Sequence, residues 1–227
     1  MTINTWNTDE LNANGELLIG NGSNRPTAAT ITAGSANLTV TNGAGSITIA
    51  TVATTSQWVK ITTSTASSSS SIDFTSLSAT YQAYRVVAYG IQPASDGVSL
   101  YFRTSTDNGS TFDNGSTDYS WTRSNTSTSS NSASADRDDT EIEISNSNLG
   151  NNTNEFIDID VTIWDPAASA FTSIMWSSMQ ANSSSATRYS VQGGGNRKDT
   201  TAVDAVRFFM SSGNISVGEF VLYGIEA

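Results

Sequence analysis

Residues Glu155–Asp165 read EFIDIDVTIWD. Ile157, Ile159, Val161 and Ile163 fall on one side of an extended chain, and Asp158, Asp160 and Thr162 on the other. A period of two is that of a β-strand with one face on a core and one in water. Working outward, the same signal recurs at short intervals. Before this stretch come SIDF (Ser71–Phe74), YQAYRVVAYGI (Tyr81–Ile91), GVSLYFRTS (Gly97–Ser105), DYSWTR (Asp118–Arg123) and DTEIEIS (Asp139–Ser145). After it come FTSIMWSSM (Phe171–Met179), SATRYSVQG (Ser185–Gly193), AVRFFMSSG (Ala205–Gly213) and VGEFVLYGI (Val217–Ile225), whose inward stripe is Phe220, Leu222 and Ile225. About ten short strands separated by Gly, Asn, Asp and Ser clusters predict an antiparallel two-sheet β-sandwich of jelly-roll type. No segment of convincing length has a helical period. The best helical candidate, Thr200–Phe209, reads equally well as a loop entering a strand.

The first quarter of the chain is different. Residues 1–15 are polar and unpatterned. GELLIG (Gly15–Gly20) is followed by three alternating runs, AATIT (Ala28–Thr32), NLTVT (Asn37–Thr41) and SITIA (Ser46–Ala50). The junction at Asn42-Gly43 has the residues of a tight hairpin turn. The apolar stripes, Ala29/Ile31, Leu38/Val40 and Ile47/Ile49, are too narrow for some fifty residues to fold alone. Self-association would supply the missing core, through Leu17, Leu18, Ile19, Ile31, Leu38, Val40, Ile47 and Ile49. The expected organisation is a docking segment (1–15), a trimerising β segment (16–56) and a β-sandwich knob (57–227). QWVKITT (Gln57–Thr63) opens the knob, and the run TASSSSS (Thr65–Ser71) reads as an exposed loop.

Composition sets limits on function. Of 227 residues, 88 are Ser, Thr or Asn, and only 14% are charged, against a usual ~25%. With no His and no Cys, the reagents of a Ser-His-Asp triad, a Cys nucleophile or a Cys/His zinc site are missing. A net charge of −11 with ten Lys and Arg repels a nucleic-acid backbone. No apolar run is long enough to span a membrane as a helix. MTINTWNTDE (Met1–Glu10) has neither the basic nor the apolar region of a secretory signal.

Ser105–Phe112 matches the Asp-box pattern S-x-D-x-G-x-x-aromatic. It reads as a turn: Asp107 accepts backbone N–H bonds, Gly109 takes a positive φ, and Phe112 anchors the loop. Asp136, Asp138, Asp139, Glu141 and Glu143 form the densest acidic cluster. They lack the EF-hand order and read as a solvated loop entering a strand edge rather than as a metal site. Asp158 and Asp160 read as a wet strand face rather than an acid/base pair. GGGNRK (Gly193–Lys198) has no Gly-Lys-Ser/Thr order and reads as a flexible loop rather than a phosphate cradle. The long polar stretch Arg123–Asp138 reads as a surface loop. The best candidates for a sugar-binding site are Tyr119, Trp121, Arg123, Asp136, Asn196 and Arg197. The rings would stack on a pyranose and the polar groups would bind its hydroxyls; core positions are the alternative for both rings. Trp58, Trp164 and Trp176 read as core. No catalytic residue, metal or cofactor is assigned.

GELLIGNGSNRPTAATITAGSANLTVTNGAGSITI (Gly15–Ile49) resembles a segment common in tail fibres and related surface proteins of tailed bacteriophages. The resemblance is carried by Gly15, Leu17–Asn21, Ala28–Gly34 and Thr41–Ile49. The later runs Ile72–Phe74, Val98–Arg103, Val203–Phe208 and Leu222–Gly224 resemble a phage domain often found downstream of it. The resemblance implies a homotrimeric virion protein, a short fibre or spike on tail or head. Its N-terminus would attach to other virion proteins, and its distal domain would meet host polysaccharide. A capsid cement protein and a glycan depolymerase remain as alternatives.

Overall fold

The structure is a computed structural model and describes residues 16–20, 26–34, 38–43, 46–51, 58–183 and 185–226. The 1–15 segment lies outside them. The chain divides into two compact units, Met1–Thr55 and Ser56–Ala227.

The first unit contains two antiparallel hairpins. β1 (Glu16–Gly20) pairs with β2 (Pro26–Thr30), and β3 (Leu38–Gly43) pairs with β4 (Ser46–Thr51). The run expected to start at Ala28 therefore starts at Pro26 and turns back onto β1, because Leu17 and Ala29 come into register. Among the described residues of this unit, none is buried. Leu17 is 39% and Ile49 56% exposed, while Ile31, Leu38, Val40 and Ile47 are half-buried. The side chains of Leu18 and Ile19 lie outside the described set.

The second unit is an antiparallel two-sheet sandwich. Its strands are β5 (Val59–Ser69), β6 (Ile72–Phe74), β7 (Tyr81–Pro93), β8 (Leu100–Ser105), β9 (Tyr119–Ser127) and β10 (Asn131–Asp139), followed by β11 (Ile142–Glu143), β12 (Ile157–Trp164), β13 (Ser173–Asn182), β14 (Ser185–Arg197), β15 (Ala205–Met210) and β16 (Ile215–Glu226). One sheet runs β10-β9-β14-β13-β12-β7-β16-β5 and the other β11-β8-β15-β6. If the hairpins β9–β10 and β13–β14 are set aside, eight strands remain. They pair first with last: β5–β16, β6–β15, β7–β12 and β8–β11. β16 also pairs with β7, and β15 with β8. A chain paired end to end and rolled into two four-stranded sheets is a jelly roll. The two inserted hairpins widen one sheet from four strands to eight.

The alternation read from Glu155–Asp165 places the core. Ile157, Ile159, Val161 and Ile163 are each at most 3% exposed. Phe102 and Phe208 stack edge-on at 5.3 Å, and Phe208 meets Phe220 of the opposite sheet at 5.6 Å. These rings join the two layers, a geometry favoured for aromatic pairs.

Several local expectations are corrected. The serine run is not a loop: β5 continues to Ser69 because its backbone pairs with β16, and Ala66 is buried. Arg123–Asp138 is not a loop either but the β9–β10 hairpin, closed by Ser127 N–H donating to the Ser130 carbonyl at 2.9 Å. Trp164 is 47% exposed rather than core, because even positions of β12 face away from the odd-numbered stripe. Trp58 is half-buried, and Trp176 is core at 5% exposure. The helical candidate at Thr200 enters strand β15 at Ala205.

The Asp-box is a built turn. The Asp107 carboxylate accepts from the Thr111 hydroxyl at 2.7 Å, the Thr111 N–H at 2.8 Å and the Ser105 hydroxyl at 2.8 Å. Gly109 has φ 81°. Those donors, the Thr111 hydroxyl first, hold the carboxyl down at about 2 from an ordinary 3.8. A depressed carboxyl stabilises the fold at pH above its unfolded value, and the contribution is lost as pH falls through the folded value. NMR titration of the Asp107 side-chain carbon is expected to give a midpoint near 2, with residues 106–111 loosening only below it. A midpoint at an ordinary aspartate value would contradict the turn's hydrogen bonding.

Candidate functional site

The inserted hairpins carry a broad concavity. On the outer face of the large sheet, Ser120 (β9), Asn196 (β14), Ser173 (β13) and Trp164 (β12) lie in one cross-strand row. The next row is Ala135, Thr122, Gly194, Met175 and Thr162. Of these rows, Ser120, Asn196, Ser173, Ala135, Thr122 and Gly194 line a trough of about 940 Å³, together with Asp136, Arg137, Phe171 and Lys198. Small side chains make the floor low, and a Cβ on Gly194 would meet nothing closer than 3.8 Å. Phe171 is 54% exposed at the rim, and Trp164 stands next in the row beyond Ser173.

The trough exposes more apolar than polar surface, and its charges are locally balanced. Ser120 Oγ donates to Asn196 Oδ1 at 2.8 Å, which orients the amide. Lys198 is ion-paired with Asp138 and donates to the Arg137 carbonyl at 3.1 Å. The hydrogen bond from Lys198 holds the Asp138 carboxyl below its ordinary value. Arg137 and Asp136 add one charge of each sign. The chain's overall negative charge is therefore not expressed here. Hydroxyls, an amide and two exposed rings can hydrogen-bond a sugar's edge and cover its apolar face.

The inner face beneath explains the glycine run. Gly193 and Gly195 point inward, and Gly193 lies between Arg123 of β9 and Trp176 of β13. A Cβ at 193 would sit 2.1 Å from Trp176 Cζ2, and one at 195 would sit 2.9 Å from Trp121 Cβ. The glycines make room for two indoles, so GGGNR is an inner strand of the sheet and not a flexible loop.

The six residues expected to bind sugar divide. Asp136 and Asn196 line the trough. Trp121 also contributes to its lining, but its ring is 9% exposed and its indole N–H donates to Asp139 Oδ2 at 2.9 Å. Tyr119 is fully buried, with its hydroxyl 2.8 Å from the Thr104 N–H, and burial pushes that hydroxyl's pKa up. Arg123 is buried on Glu143 at 2.7 Å and donates to the Ser145 carbonyl. Arg197 is buried on Asp113 at 2.6 Å and Asp199 at 3.2 Å. Burial opposes the Arg197 charge, but these carboxylates outweigh it and raise its pKa. Fully buried or ion-paired groups of this kind build the hairpins and do not reach a ligand. Alternation could have shown this for Tyr119, Trp121 and Arg123, which share one parity. Phe171, at the start of the run Phe171–Met179, and Lys198, at the end of GGGNRK, gave no such signal.

The acidic cluster is dispersed among partners: Asp138 to Lys198, Asp139 to Trp121, Glu141 to Arg103 and Glu143 to Arg123. Among the described residues, no group of three or more acidic side chains is placed to hold a metal ion. Asp160 is engaged by Arg85, whose Nε donates to Oδ1 at 2.7 Å, and Asp158 accepts the Gly90 N–H at 2.8 Å.

Compared with known proteins, the chain matches no family model, and no curated protein is similar to it in sequence.

Proposed function

We propose that this chain is a virion surface protein of a tailed phage, a short trimeric fibre or spike whose knob adheres to host-surface glycan through the trough. The observation that carries the adhesion reading is the trough itself. Ser120, Ser173 and Asn196 offer neutral hydrogen-bonding groups, with Phe171 exposed among them and Trp164 exposed next to Ser173 in its row. Sugar sites pair such groups because a pyranose has hydroxyl edges and an apolar face. The trimer reading is supported by the first unit, in which none of the side chains whose burial is described is buried, so that its strands need partners. The Gly15–Ile49 resemblance points the same way. Fold alone decides none of this, since jelly rolls host many functions.

Immunogold electron microscopy of phage particles carrying this chain tests the reading. Label is expected at fibre or spike tips, on tail or head. Label spread evenly over the capsid shell would favour the cement alternative. Unlabelled particles would overturn the virion assignment.

A further inference from the structure

The arginines of the knob are not equally occupied. Arg85, Arg103, Arg123, Arg197 and Arg207 each pair with a carboxylate. Arg188 donates to the Asn154 carbonyl and lies over a ring. Among the described arginines, Arg137 alone has a guanidinium with no hydrogen bond, ion pair or ring contact. Its side chain is exposed and lines the trough. Its backbone is anchored, because the Arg137 carbonyl accepts from Lys198 Nζ at 3.1 Å. The charges around it are already engaged. Lys198 is paired with Asp138, and Asp136 Oδ1 accepts the Asp138 N–H at 2.9 Å. Asp138 feels Arg137 as well, but less than it feels Lys198. An arginine fork with its donors unused, on a fixed stretch of backbone beside a concavity, is arranged for an anion from outside the chain.

We infer that the glycan taken by the trough is acidic, and that Arg137 holds the carboxylate of a hexuronic acid unit while Phe171 covers the apolar face of another unit. This deepens the adhesion reading above and rests on it. Length is the first argument. Arg137 is on β10 and Phe171 at the entry to β13, with β9 and β14 between them. Three strand spacings are roughly 14 Å, more than one pyranose spans, so a ligand that meets both is an oligosaccharide. Ser120 and Asn196 lie between the two ends and face the hydroxyls of such a chain. The fork is the second argument. A planar guanidinium meets both oxygens of a carboxylate at once, and a uronate joins its carboxylate directly to the ring that the floor supports. The chain's charge of −11 does not oppose this at close range. Charges more than about 8 Å away are largely screened at physiological ionic strength. Of the two nearest carboxylates in the chain, Asp138 is met by Lys198 and Asp136 is held to a backbone N–H.

The test immobilises polysaccharide extracted from the host surface in two forms, untreated and with its carboxyl groups reduced to alcohols. Full-length native chain and Arg137→Gln are passed over both, and binding is read by surface plasmon resonance. Arg137→Gln should melt as the native chain does, because the guanidinium it removes touches nothing in the fold. The native chain is expected to bind the untreated form and to lose about tenfold or more on the reduced form, the size of a charge-assisted hydrogen bond. Arg137→Gln should show the same loss on the untreated form and no further loss on the reduced one. Equal native binding to both forms means a neutral ligand, and overturns this inference while the adhesion reading stands. So does an Arg137→Gln chain that still prefers the untreated form as strongly as the native chain, because the carboxylate is then read elsewhere. A variant that binds both forms weakly while the native chain binds both well assigns Arg137 to another anion, such as a phosphate ester, and overturns the uronate. A native chain that binds neither form overturns the adhesion reading and this inference together.

Discussion

Gly193→Ala is expected to be the most destabilising single-methyl change in the knob. The added Cβ would sit 2.1 Å from Trp176 Cζ2 and 2.4 Å from Cε2. Real carbon contacts are near 3.5–4.0 Å, so either the indole or the strand has to move. Trp176 is 5% exposed with Gly193 directly opposite, and β14 is held on both sides by β13 and β9. Neither element has room to yield. Overpacking a filled core costs about 1–3 kcal/mol and occasionally more, and a rigid ring met at this distance belongs at the upper end. For a unit of this size, about 3 kcal/mol lowers the melting temperature by roughly 6–12 °C. Gly194→Ala is the control, because its Cβ would point into the open trough with only the Ile174 carbonyl at 3.8 Å. Its melting temperature should stay within a degree or two of the native value. Equal melting temperatures for the two variants would contradict the packing described for Gly193.

The contrast between these adjacent glycines shows what was legible beforehand. Alternation in Ile157–Ile163 fixed a strand, its inward face and hence the sandwich, because burial on one face imposes a period of two. The same parity rule applied to Trp164 exposes it, and applied to Tyr119, Trp121 and Arg123 buries them. That information was in the sequence, and residue type outweighed it. The role of Gly193 was not legible. Its cause is an indole on another strand, and register between strands appears only once they are paired. The serine run of β5 was opaque for a related reason. Serine has little strand preference, and the backbone of β16 supplies the pairing. Phe171 and Lys198 lie just beyond the ends of β13 and β14, so only the folded chain brings them beside Asn196.

The second large effect concerns adhesion. Phe171 and Trp164 are 54% and 47% exposed, so their removal should leave the fold intact and remove one ring that lines the trough and one that stands next to it beyond Ser173. If the trough binds glycan as proposed, each site binds modestly, because its contacts are hydroxyls, amides and rings with few free charges. In the proposed trimer, three linked sites would multiply a modest loss, since the second and third contacts form at high effective concentration. Avidity gains of ~10² or more follow without new contacts. The double variant Phe171→Ala/Trp164→Ala should therefore lose roughly 100-fold in retention on host cells at unchanged melting temperature. The most direct measurement is retention of full-length native and double-variant chains on the host cell surface, at matched concentration. Strong native retention with a roughly hundredfold loss in the variant is the predicted result. Equal retention of the two, or no retention of the native chain, would contradict adhesion through the trough.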